Sequence, residues 1–442
     1  MAPSSPKVVF LTAGGAGMYC GSCMRDNTLV RHLAARGWNI ELVPAYTPIR
    51  TDEEDVSADR VFFGGINLYL LQTFPLLAHL PGWVFRWLDS PSLIRRATAN
   101  ASIPVDARQL GEMTLATLNG EHGLLRKEHA RFVDWLVKES RPSLLNLTNL
   151  LIGGSIPLLR RRLPDVPILV TLQGDDLFLG QLTEPWKSAV IARMRELAAQ
   201  ADGFLTFSHA YADLMAALLE VPRDRFHLVP LGIDADPPAP RDTGTDRAPA
   251  LGFFARLSPE KGFHHAVDAF LRLAQKPGME RTTFHFGGWL GARDRPFVEA
   301  QIQRLADGGL EGRFFHHGSP DRAGKSAFFR GIDLFSVPAD FFEPKGLYVL
   351  EALAAGVPVI QPAHGAFPEL LSACPAARLV PAHDPGALAE AWWEVLCSPD
   401  RGAAMGALGP AFIRDTASAT RMAERTAEVY QQLIRSFLFR SR

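Results

Sequence analysis

Phe342-Glu343-Pro344-Lys345-Gly346-Leu347-Tyr348-Val349-Leu350-Glu351-Ala352-Leu353-Ala354-Ala355-Gly356-Val357-Pro358-Val359-Ile360 carries two glutamates, Glu343 and Glu351, in largely apolar surroundings. The apolar run from Leu347 to Ala355 reads as a short buried helix that Gly356 can end, and Pro358 leads into an apolar strand. Glu351 is the only charge on that helix. A carboxylate in such a segment costs about 2 kcal/mol or more unless donors satisfy it, and ligand hydroxyls suit that role. Glu343 stands just ahead of the helix, in a loop shaped by Pro344 and Gly346. The backbone N–H groups of Gly346 and Leu347 would then face a ligand, with the positive end of the helix dipole behind them. The pattern describes a phosphate site flanked by two carboxylates for hydroxyls.

Outward from this segment the chain alternates strand and helix. Lys7-Val8-Val9-Phe10-Leu11-Thr12 reads as a buried first strand, followed by the loop Ala13-Gly14-Gly15-Ala16-Gly17, a helix ending near Gly37, and a strand over Ile40–Pro44. Strand-like runs recur at 144–147, 167–172, 203–208 and 226–230. The polar, proline-rich run 236–246 interrupts them and reads as a linker. A second alternating set follows at 252–255, 283–288, 314–318 and 334–338. The last helix, about 419–437, places Met422, Thr426, Val429, Leu433 and Phe437 on a single stripe. The expected fold class is α/β, with two doubly wound, Rossmann-like domains facing each other across a cleft at the carboxyl ends of their strands.

Composition agrees with two folded domains. The chain has 442 residues, too many for one ordinary core, and 47% are hydrophobic. With 46 basic and 47 acidic residues the net charge is −1, so no global field draws it to nucleic acid. No uninterrupted apolar stretch of about 18 residues reads as a membrane span, and no signal-peptide pattern opens the chain, so a cytoplasmic location is expected. Four cysteines make no disulfide framework. Cys20-Gly21-Ser22-Cys23 reads as a reduced pair, since Cys374 and Cys397 do not complete a zinc motif. His264 and His265 are adjacent on a helix, a spacing that argues against both serving one metal.

Ala255-Arg256-Leu257-Ser258-Pro259-Glu260-Lys261-Gly262 is the second strong constellation. Ser258 is a good N-cap and Pro259 a good first helical residue, which sets Lys261 in the first helical turn and Arg256 at the strand end. Cations beside a helix N-terminus oppose its dipole unless an anion joins them.

With Glu343 and Glu351, these residues closely resemble the motifs of the retaining glycosyltransferases of family 4, also called glycosyltransferase group 1, which have the GT-B fold. The resemblance implies that Glu343 contacts the donor sugar and Glu351 the ribose hydroxyls of a nucleoside diphosphate sugar. Arg256 and Lys261 would hold the diphosphate and stabilise the leaving group, with Gly346 and Leu347 beside it. Gly15 and Gly17 would approach from the opposite domain, although a tight strand-to-helix turn explains them equally.

In Thr171-Leu172-Gln173-Gly174-Asp175-Asp176 the family's histidine position is held by Gln173, which cannot act as a general base. Gln173 and Asp175 are candidate sugar or acceptor contacts, and Asp176 is equally a helix cap. His364-Gly365-Ala366-Phe367-Pro368-Glu369 resembles the family's donor-pocket loop.

The domains implied are 1–235, completed by a terminal helix at about 416–442, a linker at 236–249, and a donor-binding domain at 250–415. The expected reaction moves a sugar to an acceptor hydroxyl with retained configuration, without a metal or other cofactor. The acceptor would be a carbohydrate or lipid-linked molecule. The aromatic stretch from Val61 through Trp87 to Arg95 and Arg96 would suit such an acceptor or peripheral contact with the inner membrane surface, and packed loops would suit it as well. A sugar-nucleotide epimerase on the same fold, or a nucleotide-sugar-binding relative that has lost transfer, remain open alternatives.

Overall fold

Continuous apolar runs become strands buried on both faces. The computed structural model describes residues 6–14, 20–51, 53–63, 107–234 and 247–440. Lys7–Thr12 (β1), Asn39–Pro44 (β2), Leu144–Leu147 (β3), Ile168–Thr171 (β4), Gly203–Thr206 (β5) and Phe226–Leu228 (β6) form a parallel sheet in the order β2-β1-β3-β4-β5-β6. Every residue of β3, β4 and β5 is buried, which explains why they read as unbroken apolar runs. Ala250–Phe254 (β7), Thr283–Gly287 (β8), Phe314–His316 (β9), Leu334–Phe335 (β10), Val359–Pro362 (β11) and Ala377–Val380 (β12) form a second parallel sheet, ordered β12-β11-β10-β7-β8-β9. The α/β class and the two doubly wound sheets are as the sequence implies.

The chain divides into two compact units, Met1–Val229 with Met422–Arg442, and Pro230–Arg421. In the first, helix α1 (Gly21–Ala35) buries Leu29, Val30 and Leu33 against Val8, Phe10 and Leu42. The helices used below are α2 (Asp175–Leu179), α3 (Phe263–Leu273), α4 (Arg322–Arg330), α5 (Leu347–Ala354) and α6 (Ala419–Arg440). From α6, Met422, Ala423, Tyr430, Leu433 and Ile434 join the core of the first unit. The buried Tyr430 hydroxyl donates to Asn146 Oδ1 at 3.0 Å, so its polar end is satisfied inside that core. The second unit is rich in aromatic packing: Phe263 lies 5.3 Å from Phe253 and 5.0 Å from Phe286 between ring centroids.

Strand order fixes where ligands can bind. In each sheet the chain reverses its direction of winding once, between β1 and β3 in the first and between β7 and β10 in the second. Loops leaving the two strands at such a point diverge and open a crevice at the carboxyl edge. Arg256 and Lys261 follow β7, and Glu343 follows β10.

Several expectations fall elsewhere. Gly15, Gly17, most of the proline-rich linker and the aromatic stretch beyond Phe63, with Arg95 and Arg96, lie outside the described residues. Phe62 and Phe63 are buried, with rings 5.1 and 5.6 Å from that of Phe132. Among the described residues no helix is long and apolar enough to cross a membrane. None of the four cysteines forms a disulfide.

Candidate active site

At the carboxyl edge of the second sheet, the loop after β7 does not enter its helix directly. Pro259–Lys261 make a single 3-10 turn and α3 starts only at Phe263, so Lys261 precedes the α-helix instead of lying in its first turn. The reason is Gly262, at φ +69, where a Cβ would meet the carbonyl oxygen of Pro338 at 1.8 Å. Only glycine permits that approach, and it presses the β7 loop against the β10 loop. Lys261 Nζ consequently reaches Glu343 Oε2 at 2.5 Å, with the two side chains 15% and 3% exposed. The ammonium also stands 4.6 Å from the ring centre of Phe341 and 4.8 Å from that of Tyr348.

Glu343 is held from several sides. Tyr348 donates its hydroxyl to Oε2 at 2.7 Å, and the N–H groups of Lys345 and Gly346 approach Oε1 at 3.2 and 3.3 Å. The Gly346 N–H, expected to face a ligand, is thus turned on the glutamate. Leu347 is the first residue of α5. The β11 loop closes over Glu343 through Gly365, at φ +62, where a Cβ would lie 2.6 Å from the Glu343 nitrogen. The Ala366 N–H donates to the Glu343 carbonyl at 2.8 Å. Glu369 sits in the first turn of the helix Phe367–Leu371.

Burial and pairing compete in this cluster. Burial lowers the Lys261 ammonium below its ordinary value, against the opposing pull of Glu343. For Glu343 burial acts upward, but Lys261 and the Tyr348 hydroxyl overcome it and leave the carboxyl below its ordinary value. Burial, and then the neighbouring carboxylate, push the Tyr348 hydroxyl well up.

Two further groups complete this edge. Glu351, the charge on apolar α5, is met by Lys325 Nζ of α4 at 2.8 Å, with side chains 20% and 16% exposed. An ammonium therefore takes the place where ligand hydroxyls were expected. Arg256 Nη2 lies 3.7 Å from Glu260 Oε2, while its Nε is buried without an acceptor. A buried donor left without an acceptor is costly. Lys325 and Tyr348 were not singled out from the sequence. Tyr348 lies inside the quoted segment, whereas no sequence signal links Lys325 to Glu351.

In the first unit, the edge is built around Gln173, which follows β4 and is 5% exposed. Its Nε2 donates to Thr148 Oγ1 at 2.7 Å, to the Thr148 carbonyl at 3.1 Å and to Asp26 Oδ1 at 3.3 Å. Its Oε1 is buried with no partner. Asp26, wholly buried, also accepts from Thr12 Oγ1 at 2.9 Å, from Arg25 Nη1 at 3.1 Å and from the Thr148 hydroxyl. Asp175 uses its oxygens on main-chain N–H groups, those of Leu150 at 2.9 Å and Gln173 at 3.2 Å. It is 2% exposed and burial pushes its carboxyl up to about 6. Asp175 is therefore placed to hold Gln173 rather than to touch a ligand. Asp176 does not cap α2: Gly174 is the N-cap, and Asp176 Oδ1 accepts from the Tyr211 hydroxyl at 2.7 Å.

Two family descriptions match the chain, "Glycosyl transferase 4-like domain" over residues 27–232 and "Glycosyl transferases group 1" over residues 248–398. The chain is 26% identical over 382 residues to a D-inositol 3-phosphate glycosyltransferase of Xylanimonas cellulosilytica, covering 78% of this chain and 86% of the relative. Among solved structures it resembles sucrose-phosphate synthase from Thermosynechococcus elongatus, with a TM-score of 0.68 and 18% identity over 97% of this chain and all of that one (100%). It also resembles Anabaena HepE in complex with UDP-glucose, with a TM-score of 0.65 and 16% identity over 97% and 100% of the two chains. The shared fold is that of the GT-B glycosyltransferases.

Proposed function

The chain belongs to the glycosyltransferases of group 1, and we propose that it moves a sugar from a nucleoside diphosphate sugar to an acceptor hydroxyl with retention of anomeric configuration. The observation that carries this reading is the Lys261–Glu343 pair beside the switch point of the second sheet, with the unpartnered Nε of Arg256 on the same loop. A diphosphate entering that crevice meets two cations. As the glycosidic bond breaks, negative charge grows on the diphosphate, and fixed cations stabilise that change most. Fixed cations do this without a metal at the reacting atoms.

In this reading Lys261 exchanges part of its contact with Glu343 for phosphate oxygens, which frees Glu343 Oε2 for hydroxyls of the donor sugar. Glu351 similarly leaves Lys325 for the ribose hydroxyls. The departing phosphate takes the acceptor proton on the face it leaves, so no side-chain base is required at position 173. Gln173 instead offers its open Oε1 to the acceptor hydroxyl, an acceptor role that an amide fills at any ordinary pH. The acceptor is a carbohydrate or a lipid-linked molecule. The relative named above acts on an inositol phosphate, which makes polar cyclic polyols the first acceptors to try.

The test is to incubate the purified chain with uridine, guanosine and adenosine diphosphate sugars and candidate acceptors, following nucleotide release and the configuration of the product. Acceptor-dependent release of nucleoside diphosphate with a product of the donor's own configuration is expected. Inversion would overturn the retaining step, conversion of the sugar without an acceptor would favour an epimerase, and binding with neither would favour an inactive relative. Thermal-shift screening of the nucleotides selects the donor beforehand, since a ligand that binds only the folded chain raises its midpoint.

A further inference from the structure

The loops after β10 and β12 bring imidazoles of the second unit onto one carboxylate. Asp340 Oδ1 lies 3.0 Å from His265 Nε2 and 2.8 Å from His383 Nδ1. His264 stands with its ring centre 3.9 Å from that of His265, and one ligand atom from each of His264, His265 and Asp340 fall within 4.8 Å of one another. The adjacent histidines were expected to diverge. At the first turn of α3, however, side chains lean back toward the helix N-terminus, and both reach over the same loop. A small pocket lined by His265, Pro338, Pro362 and His383 adjoins them.

Two observations set the cluster apart from ordinary packing. His383 is held at φ +57, a left-handed conformation that few non-glycine residues adopt. The side chains of His383 and Asp340 are 52% and 47% exposed, so neither serves a core.

We propose that His264, His265 and Asp340 form a site for a divalent first-row transition cation, zinc foremost, with His383 or water completing the shell. Imidazole and carboxylate together suit zinc, cobalt or nickel, whereas magnesium and calcium favour all-oxygen shells. Ligand atoms around a tetrahedral zinc ion with bonds of about 2.0–2.2 Å stand about 3.3–3.5 Å apart, and those of His264, His265 and Asp340 already lie within 4.8 Å of one another. The ion would tie α3 to the β10 loop that carries Glu343. The Asp340 N–H already donates to the Glu260 carbonyl at 2.9 Å, next to Lys261. The site would therefore steady the donor-binding loops from behind without entering the reaction.

The experiment uses the untagged full chain, stripped with a chelator and then titrated with zinc by calorimetry and with cobalt by visible absorption. One cation per chain is expected, with a four-coordinate cobalt spectrum and a thermal midpoint raised by zinc and not by magnesium. His264→Ala and His265→Ala should each lose the cobalt spectrum and most of the midpoint shift. A double Cys20→Ser, Cys23→Ser variant should keep both signals. Persistence of spectrum and shift in the histidine variants, their loss in the cysteine variant, or the absence of any zinc-induced shift in the parent chain would each overturn the proposal.

Discussion

The two carboxyl edges are built on the same topology and differ in how they hold charge. At the switch point of the second sheet, cations and carboxylates come from separate loops and helices, Lys261 with Glu343 and Lys325 with Glu351, and every one of these side chains except Glu343 keeps some exposure. In the first unit, Arg25 and Asp26 are neighbours in sequence, wholly buried, and Asp26 gathers Thr12, Thr148 and Gln173 as well. Pairs of the first kind can be traded for a ligand's charges. A buried pair of the second kind cannot be broken without leaving an uncompensated charge, which costs about 3–5 kcal/mol. In the proposed reading one edge exchanges partners and the other keeps a geometry.

The sharpest way to break this contrast is to remove the exchanging cations. Arg256→Ala and Lys261→Ala should each lower kcat at saturating donor by about 100- to 1,000-fold, the usual cost of losing a preorganised charge partner. Addition of magnesium should not restore either, and a variant with full turnover would remove the role assigned to that cation. Glu343→Gln comes next. It should leave nucleoside diphosphate binding within a few-fold while transfer drops by about tenfold or more, because the lost contact is to the sugar. Normal turnover would make Glu343 a structural partner of Lys261.

Glu351→Ala tests exchange at the second pair. Loss of a charge-assisted hydrogen bond to ribose should weaken nucleotide affinity by about 1.5–3 kcal/mol, read by calorimetry, and unchanged affinity would show that Glu351 keeps Lys325 throughout. On the fixed edge, Gln173→Leu should reduce kcat/KM for the acceptor by about tenfold and spare donor binding, since the open Oε1 is the group being removed. An equal loss for both substrates would show a collapse of the Asp26 network instead of a lost contact.

The legible part of the molecule is the part written in local patterns. Strands such as Ile168–Thr171 are buried on both faces and announce themselves as apolar runs, and Gly356 ends α5 where the pattern breaks. β12, Ala377–Val380, escaped the reading because only Val380 in it is fully buried, so it lacks the apolar run of a central strand. Within the site, the spacing of Glu343 and Glu351 is readable, but their partners are not. Lys325 reaches Glu351 across 26 residues of sequence, and Lys261 meets Glu343 because Gly262 lets two backbones touch. The proximity of His264 and His265 to Asp340 is likewise not readable from spacing, because it depends on the β10 loop lying beside the start of α3.

The smallest effect separates the edges by the sign of their pH dependence. Glu343 lies below its ordinary value, so its contribution is complete above the usual carboxylate range and is lost as pH falls through its folded value. Asp175 behaves oppositely. Burial pushes its carboxyl up to about 6, so between the ordinary value near 4 and that value the folded chain keeps a proton that the unfolded chain has released. Stability from this group therefore falls as pH rises through the same window. Asp175→Asn abolishes the titration while losing one acceptor for the Leu150 and Gln173 N–H groups, a cost that does not vary with pH. Urea denaturation of both proteins should then show a larger penalty for the substitution at about pH 4.5 than at about pH 7, by about 1–2 kcal/mol. An equal penalty at both would mean that the two N–H groups outweigh burial and keep Asp175 ionised, which would make the fixed edge as dependent on charge as the exchanging one.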